Sequence, residues 1–80
     1  MDELSVMSKN GKITLLPGEV FQAVDKAKSA CKYQYLGLTN CVGEKYVYLH
    51  DDTHGKFCDV RLSWFMNRSI RRIGGEDNGE

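Results

Sequence analysis

The sequence predicts a mostly β or small α+β domain built on an antiparallel sheet of three to five strands. Three observations carry this. Cys58, Val60, Leu62, Trp64 and Met66 alternate with Asp59, Arg61 and Ser63, which is the period of a half-buried strand. Val47 and Leu49 alternate with Tyr46 and Tyr48 in the same way. Between these runs, Asp51-Asp52-Thr53-His54-Gly55 is a turn cluster, so the two strands should form an antiparallel hairpin.

The remaining elements follow in chain order. Residues 1–11 are polar and mixed and end in Asn10-Gly11, which predicts a flexible N-terminal arm with a turn at its end. Lys12-Ile13-Thr14-Leu15-Leu16 is a short apolar run stopped by Pro17-Gly18 and reads as a strand. Residues 18–31 admit two readings. Val20, Ala23, Val24, Ala27 and Cys31 recur at helical spacing, and Pro17 suits a first helical turn. That reading gives a β-α-β-β-β order with a helix over about 18–31 packed on the sheet. The other makes Gly18–Val24 a strand that enters a long loop.

Tyr33–Thr39 is rich in residues that suit a pleated surface, and Asn40–Glu44 supplies a turn before the strand Lys45–His50. Beyond the Gly55 hairpin, Ser63–Arg68 reads as a single helical turn capped by Ser63. Ile70 and Ile73 around Arg71-Arg72 then make a short closing strand; a longer helix over 62–73 is the alternative. Residues 74–80 carry no apolar side chain and are expected to form a disordered acidic tail, which leaves residues 12–73 as a single folded domain.

Leu16-Pro17-Gly18-Glu19-Val20 resembles the opening strand of small Src-homology-3-like β-barrels. The order that follows is also similar to those barrels: three meander strands, a one-turn helix and a short closing strand. The segment Asp25–Lys32 departs from the pattern, being more helical in composition than a barrel loop. The short length and acidic end also resemble the small accessory proteins of phages and prophages. That resemblance implies a protein that binds and inhibits a host or phage regulator.

Composition narrows the function classes. Eighty residues allow one domain with one modest core, and 41% hydrophobic and 28% charged residues are ordinary globular values. Eleven basic residues balance eleven acidic ones, which argues against a dedicated nucleic-acid binder. No apolar run approaches the ~18 residues of a membrane-spanning helix. The segment Met1-Asp2-Glu3-Leu4 lacks the basic and apolar regions of a signal peptide, so the expected location is cytoplasmic. Cys31, Cys41 and Cys58 are odd in number and lack close pairing, which fits reduced thiols.

The candidate chemistry is sparse. His50, His54, Cys41 and Cys58 are zinc-ligand types, but they lack paired spacing, and no metal or cofactor is assigned. The same cysteines and histidines are of the types that make a nucleophile and base, yet nothing in the sequence orients them, and an enzyme is not expected. Two surfaces suggest partner binding. One is the tyrosine set Tyr33, Tyr35, Tyr46 and Tyr48; the other is the basic segment Arg61, Arg68, Arg71 and Arg72 with Trp64 among them. Tyrosine and arginine are enriched at binding hot spots. The plainer reading of both sets is core packing for the aromatics and a solvated face for the arginines. The expected function is therefore a small non-enzymatic protein-binding regulator or inhibitor that occupies a functional surface of a larger protein. The alternative is a nucleic-acid-binding small barrel using the basic C-terminal segment, and an exposed sheet edge adds a homodimer to the partner classes.

Overall fold

A computed structural model describes residues 3–73. Residues 1–2 and the expected acidic tail at 74–80 lie outside the described residues. The chain is mostly β. Its strands are β1 (Leu4–Ser8), β2 (Gly11–Leu15), β3 (Val20–Val24), β4 (Ala30–Cys41), β5 (Glu44–Asp51), β6 (Lys56–Arg61) and β7 (Ser69–Ile73), with a one-turn helix α1 (Leu62–Met66) between β6 and β7. β1 and β2 form a two-stranded sheet, and the others form a five-stranded antiparallel sheet in the order β6-β5-β4-β3-β7.

The expected N-terminal arm is corrected. Residues 4–8 form β1, paired antiparallel with β2, with Leu4 opposite Leu15 and Val6 opposite Ile13. The physical reason is a period of two: Leu4, Val6 and Ser8 are buried while Ser5 and Met7 are exposed. The turn expected at Asn10-Gly11 closes this hairpin, with Gly11 at φ +122°.

Of the two readings of residues 18–31, the strand is adopted and the alternative, a helix packed on the sheet, is not. Val20–Val24 is a strand flanked by β4 and β7, with Phe21 and Ala23 pointing into the core. Hydrogen-bonding partners on both sides and burial of Phe21 outweigh the weak helical preference of Ala, Lys and Gln. The chain then reverses through a tight turn in which Lys28 N–H donates to the Asp25 carbonyl (3.0 Å), Ser29 N–H donates to the Asp25 carboxylate (3.0 Å), and Lys28 adopts φ +64°.

β4 is longer than Tyr33–Thr39 and carries a bulge between Tyr35 and Gly37. The extra residue resets the alternation, so Tyr33 and Tyr35 before it and Leu38 after it all turn inward. The hairpin of β5 and β6 forms as expected, with Leu49 opposite Cys58 and Val47 opposite Val60. Its alternation stops at Arg61, however. Leu62–Met66 is helical, Phe65 becomes the buried residue, and Met66 is exposed. Arg61 rather than Ser63 stands at the N-cap, and no side chain caps the turn. Neither the strand running on to Met66 nor the long helix over 62–73 is adopted, because β7 returns to pair with β3.

One core joins the two sheets and the helix. Leu4, Val6 and Leu15 from the small sheet meet Phe21, Ala23, Tyr35, Val47, Leu49, Phe65 and Ile70. Because the small sheet and α1 cover one face of the large sheet, the opposite face of β5 and β6 is left to solvent.

Candidate functional site

Register fixes which side chains share that open face. On β5 and β6, Tyr46 lies opposite Arg61, Tyr48 opposite Asp59, and His50 opposite Phe57. These are the positions between the buried Val47, Leu49 and Asp51. Tyr48 and Phe57 stack with ring centroids 5.9 Å apart and planes 11° from parallel. His50 meets Phe57 edge-on at 4.7 Å. Phe57 remains 62% exposed and Tyr48 39% exposed, so the stacked pair offers much of its apolar surface to water. The Arg61 guanidinium lies 5.8 Å from the Tyr46 ring centroid and 3.3 Å from the Glu44 carboxylate. Its hydrogen bond to the Tyr46 hydroxyl and the adjacent Glu44 charge hold its pKa above the ordinary value.

The turn that carries His50 is held by a buried carboxylate. Asp51 is only 5% exposed and accepts hydrogen bonds from the backbone N–H groups of Thr53 and His54, each at 3.0 Å, while His54 Nδ1 lies 2.9 Å from its second oxygen. Burial pushes this carboxyl up, but the bonds from His54 and Thr53 outweigh it and hold the group below its usual pKa of 3.8. His50 Nδ1 is engaged in turn by Asp52. Both histidines are thus tied to carboxylates of their own hairpin.

The tyrosine set does not form one stripe. Tyr46 and Tyr48 are on the open face, but Tyr35 is fully buried opposite Leu49, and its assignment to a partner surface is corrected. Tyr33 is half-buried on the inner side, stacked on Phe21 at 5.6 Å and edge-on to Trp64 at 5.2 Å. Its phenol is pushed up to about 12, by burial first and then by the neighbouring Cys31, Asp51 and Cys58. Trp64 also packs on Phe65 at 4.9 Å, so its assignment to a free surface gives way to a place at the rim of the core.

The basic set is dispersed. Arg61 and the pair Arg71 and Arg72 stand on the two opposite edge strands of the large sheet. Arg68 lies over Trp64, 4.4 Å from the ring centroid, and donates to the Trp64 carbonyl at 3.0 Å. Arg72 donates to the Thr14 carbonyl and stands 3.7 Å from Glu19. Arg71 is exposed on the outer side of β7. A shallow depression of about 460 Å³ is lined by Asp25, Lys26, Ala27, Asn67 and Arg68.

The zinc-ligand types are not gathered either. Cys58 faces inward opposite Leu49 while His50 faces outward, and Cys41 sits at the far end of β5 opposite Glu44. Among the described residues no group of three or more His, Cys, Asp or Glu side chains is placed to hold a metal ion. Also among them, no helix is long and apolar enough to cross a membrane. The sequence reading missed Phe57 and Glu44. The signal for Phe57 was present, since a period of two counted from Cys58 puts Phe57, Asp59 and Arg61 together on the outer side. Comparison with protein-family models, curated proteins and solved structures finds no match to this chain.

Proposed function

We propose that the chain is a small non-enzymatic binding protein that presents the outer face of β5 and β6 to a larger protein and acts as a regulator or inhibitor by covering a functional surface there. The single observation that carries this reading is the exposed Tyr48–Phe57 stack, flanked by Arg61 over Tyr46. Exposed aromatics that are already fixed in position lose little conformational freedom on binding, and arginine beside them adds directional hydrogen bonds. The resemblance to Src-homology-3-like barrels is part of the same proposal: it is supported by the meander β4-β5-β6, the one-turn α1, and the return of β7 to the side of β3. Cytoplasmic residence and a phage-type accessory role fit such a regulator.

The nucleic-acid reading gains nothing from the geometry, because its arginines are spread over both sheet edges and three of the four make contacts within the chain. The test is recovery of a stoichiometric partner from source-cell extract by the tagged chain, run beside Y48S/F57S and beside Arg71→Ser on the other edge strand. The expected result is a partner retained by wild type and R71S and reduced at least about tenfold by the face variant, since a hot-spot aromatic contributes about 2 kcal/mol or more. Equal recovery by all three chains would overturn the proposal.

A further inference from the structure

The two edges of the large sheet are finished differently. At β7 the Asn10 carboxamide acts as a short strand: its Nδ2 donates to the Ile70 carbonyl and its Oδ1 accepts from the Ile70 N–H, both at 3.0 Å. Lys9 N–H adds a bond to the Arg68 carbonyl at 2.9 Å. At β6, among the described residues, no turn or loop backbone bond reaches residues 56–60 beyond the ladder to β5, and Arg61 at its end is the N-cap of α1. An edge strand left in that state is a template for another strand.

The residues along β6 select the occupant. We propose that β6 pairs antiparallel with β6 of a second copy about a two-fold axis at Asp59, joining the two large sheets edge to edge. This pairing does not depend on the protein-binding reading above. Side chains directly opposite in an antiparallel pair share a face, so the axis must pass through a residue. Lys56, Cys58 and Val60 belong to the inner face, and Phe57, Asp59 and Arg61 to the outer.

An axis at Cys58 sets Lys56 against Val60 and Phe57 against Asp59, charge against apolar surface each time. An axis at Val60 leaves only 59–61 overlapping, because α1 begins at Leu62. An axis at Asp59 pairs all of 57–61. Inside, the half-buried Cys58 and Val60 of one copy meet Val60 and Cys58 of the other. Outside, each exposed Phe57 meets the partner's Arg61, whose guanidinium can lie on the ring. The one unfavourable contact is Asp59 against the partner's Asp59, and the two Arg61 side chains stand diagonal to it. Such a dimer would double the aromatic face, because Tyr46 and Tyr48 of both copies would lie on one continuous sheet.

Sedimentation of the purified full chain under reducing conditions, over a wide concentration range, tests this without any other protein present. A reversible shift from monomer to dimer is expected. Arg61→Glu should weaken the dimer by about tenfold or more, because it removes the contact with Phe57 and adds a second acid beside Asp59. Asp59→Asn should tighten it by about fivefold by removing the like-charge pair. Arg71→Glu, the same charge change on the closed edge, should match wild type. A monomer at every concentration, a dimer that forms only when the reductant is left out, a D59N chain that dimerises more weakly, or an R71E chain that behaves as R61E would each overturn the pairing.

Discussion

Tyr33 is set between Phe21 and Trp64 on the inner side of β4, where burial disfavours its phenolate and its pKa is raised from 10.0 to about 12. Below pH 10 the phenol holds its proton in both folded and unfolded chains, so its contribution to stability is fully present. Above pH 10 the unfolded chain ionises first, and stability falls until the folded group titrates near 12. The urea midpoint of the wild type should therefore drop between pH 10 and 12, and Tyr33→Phe should drop less over the same interval. Equal slopes would show that the phenol is not held in a desolvated place. Asp51 is the opposite case, a buried carboxylate made tolerable by three donors from its own turn. Neither environment was legible in the sequence. Tyr33 and Tyr35 look like Tyr46 and Tyr48, and only the bulge after Tyr35 decides that the first two face inward.

At the scale of single elements, alternation was the dependable signal, and it failed where two periods competed. The hairpin of β5 and β6 was readable because Val47, Leu49, Cys58 and Val60 alternate on either side of a strong turn cluster. β3 was readable only as one of two alternatives, because Val20, Ala23, Val24 and Ala27 also fit a helix, and only pairing with β4 and β7 selects the strand. β1 gives only a weak signal, because its alternation spans five residues beside charged neighbours. The turn joining β4 to β5 carries a local conflict of another kind. Cys41 pairs with Glu44, so Val42 and Gly43 form a two-residue turn with φ +51° and +78°. Glycine adopts that conformation without strain, whereas a β-branched valine does not. Val42 is also 98% exposed and gains no packing in return. Val42→Asn should stabilise the fold by about 1 kcal/mol in urea unfolding, because asparagine suits the left-handed position. A variant less stable than wild type would contradict this reading of the turn.

Across the whole molecule, the division of labour between the two faces of the large sheet ties the fold to the proposed function. The inner face, the small sheet and α1 share one core, while the outer face of β5 and β6 keeps an aromatic stack and an arginine in solvent. On the proposed reading, the stacked aromatics held outside the core serve a partner rather than the fold. The most direct measurement is urea unfolding of Y48S/F57S beside Phe65→Ala. Phe65 is fully buried against Phe21 and Trp64, and its truncation should cost about 3–5 kcal/mol or prevent folding. Removing both outer aromatics should cost no more than about 1 kcal/mol, the worth of one cross-strand pair. A double variant that loses as much stability as F65A would contradict the account, because the stack would then belong to the core and leave no free face for a partner.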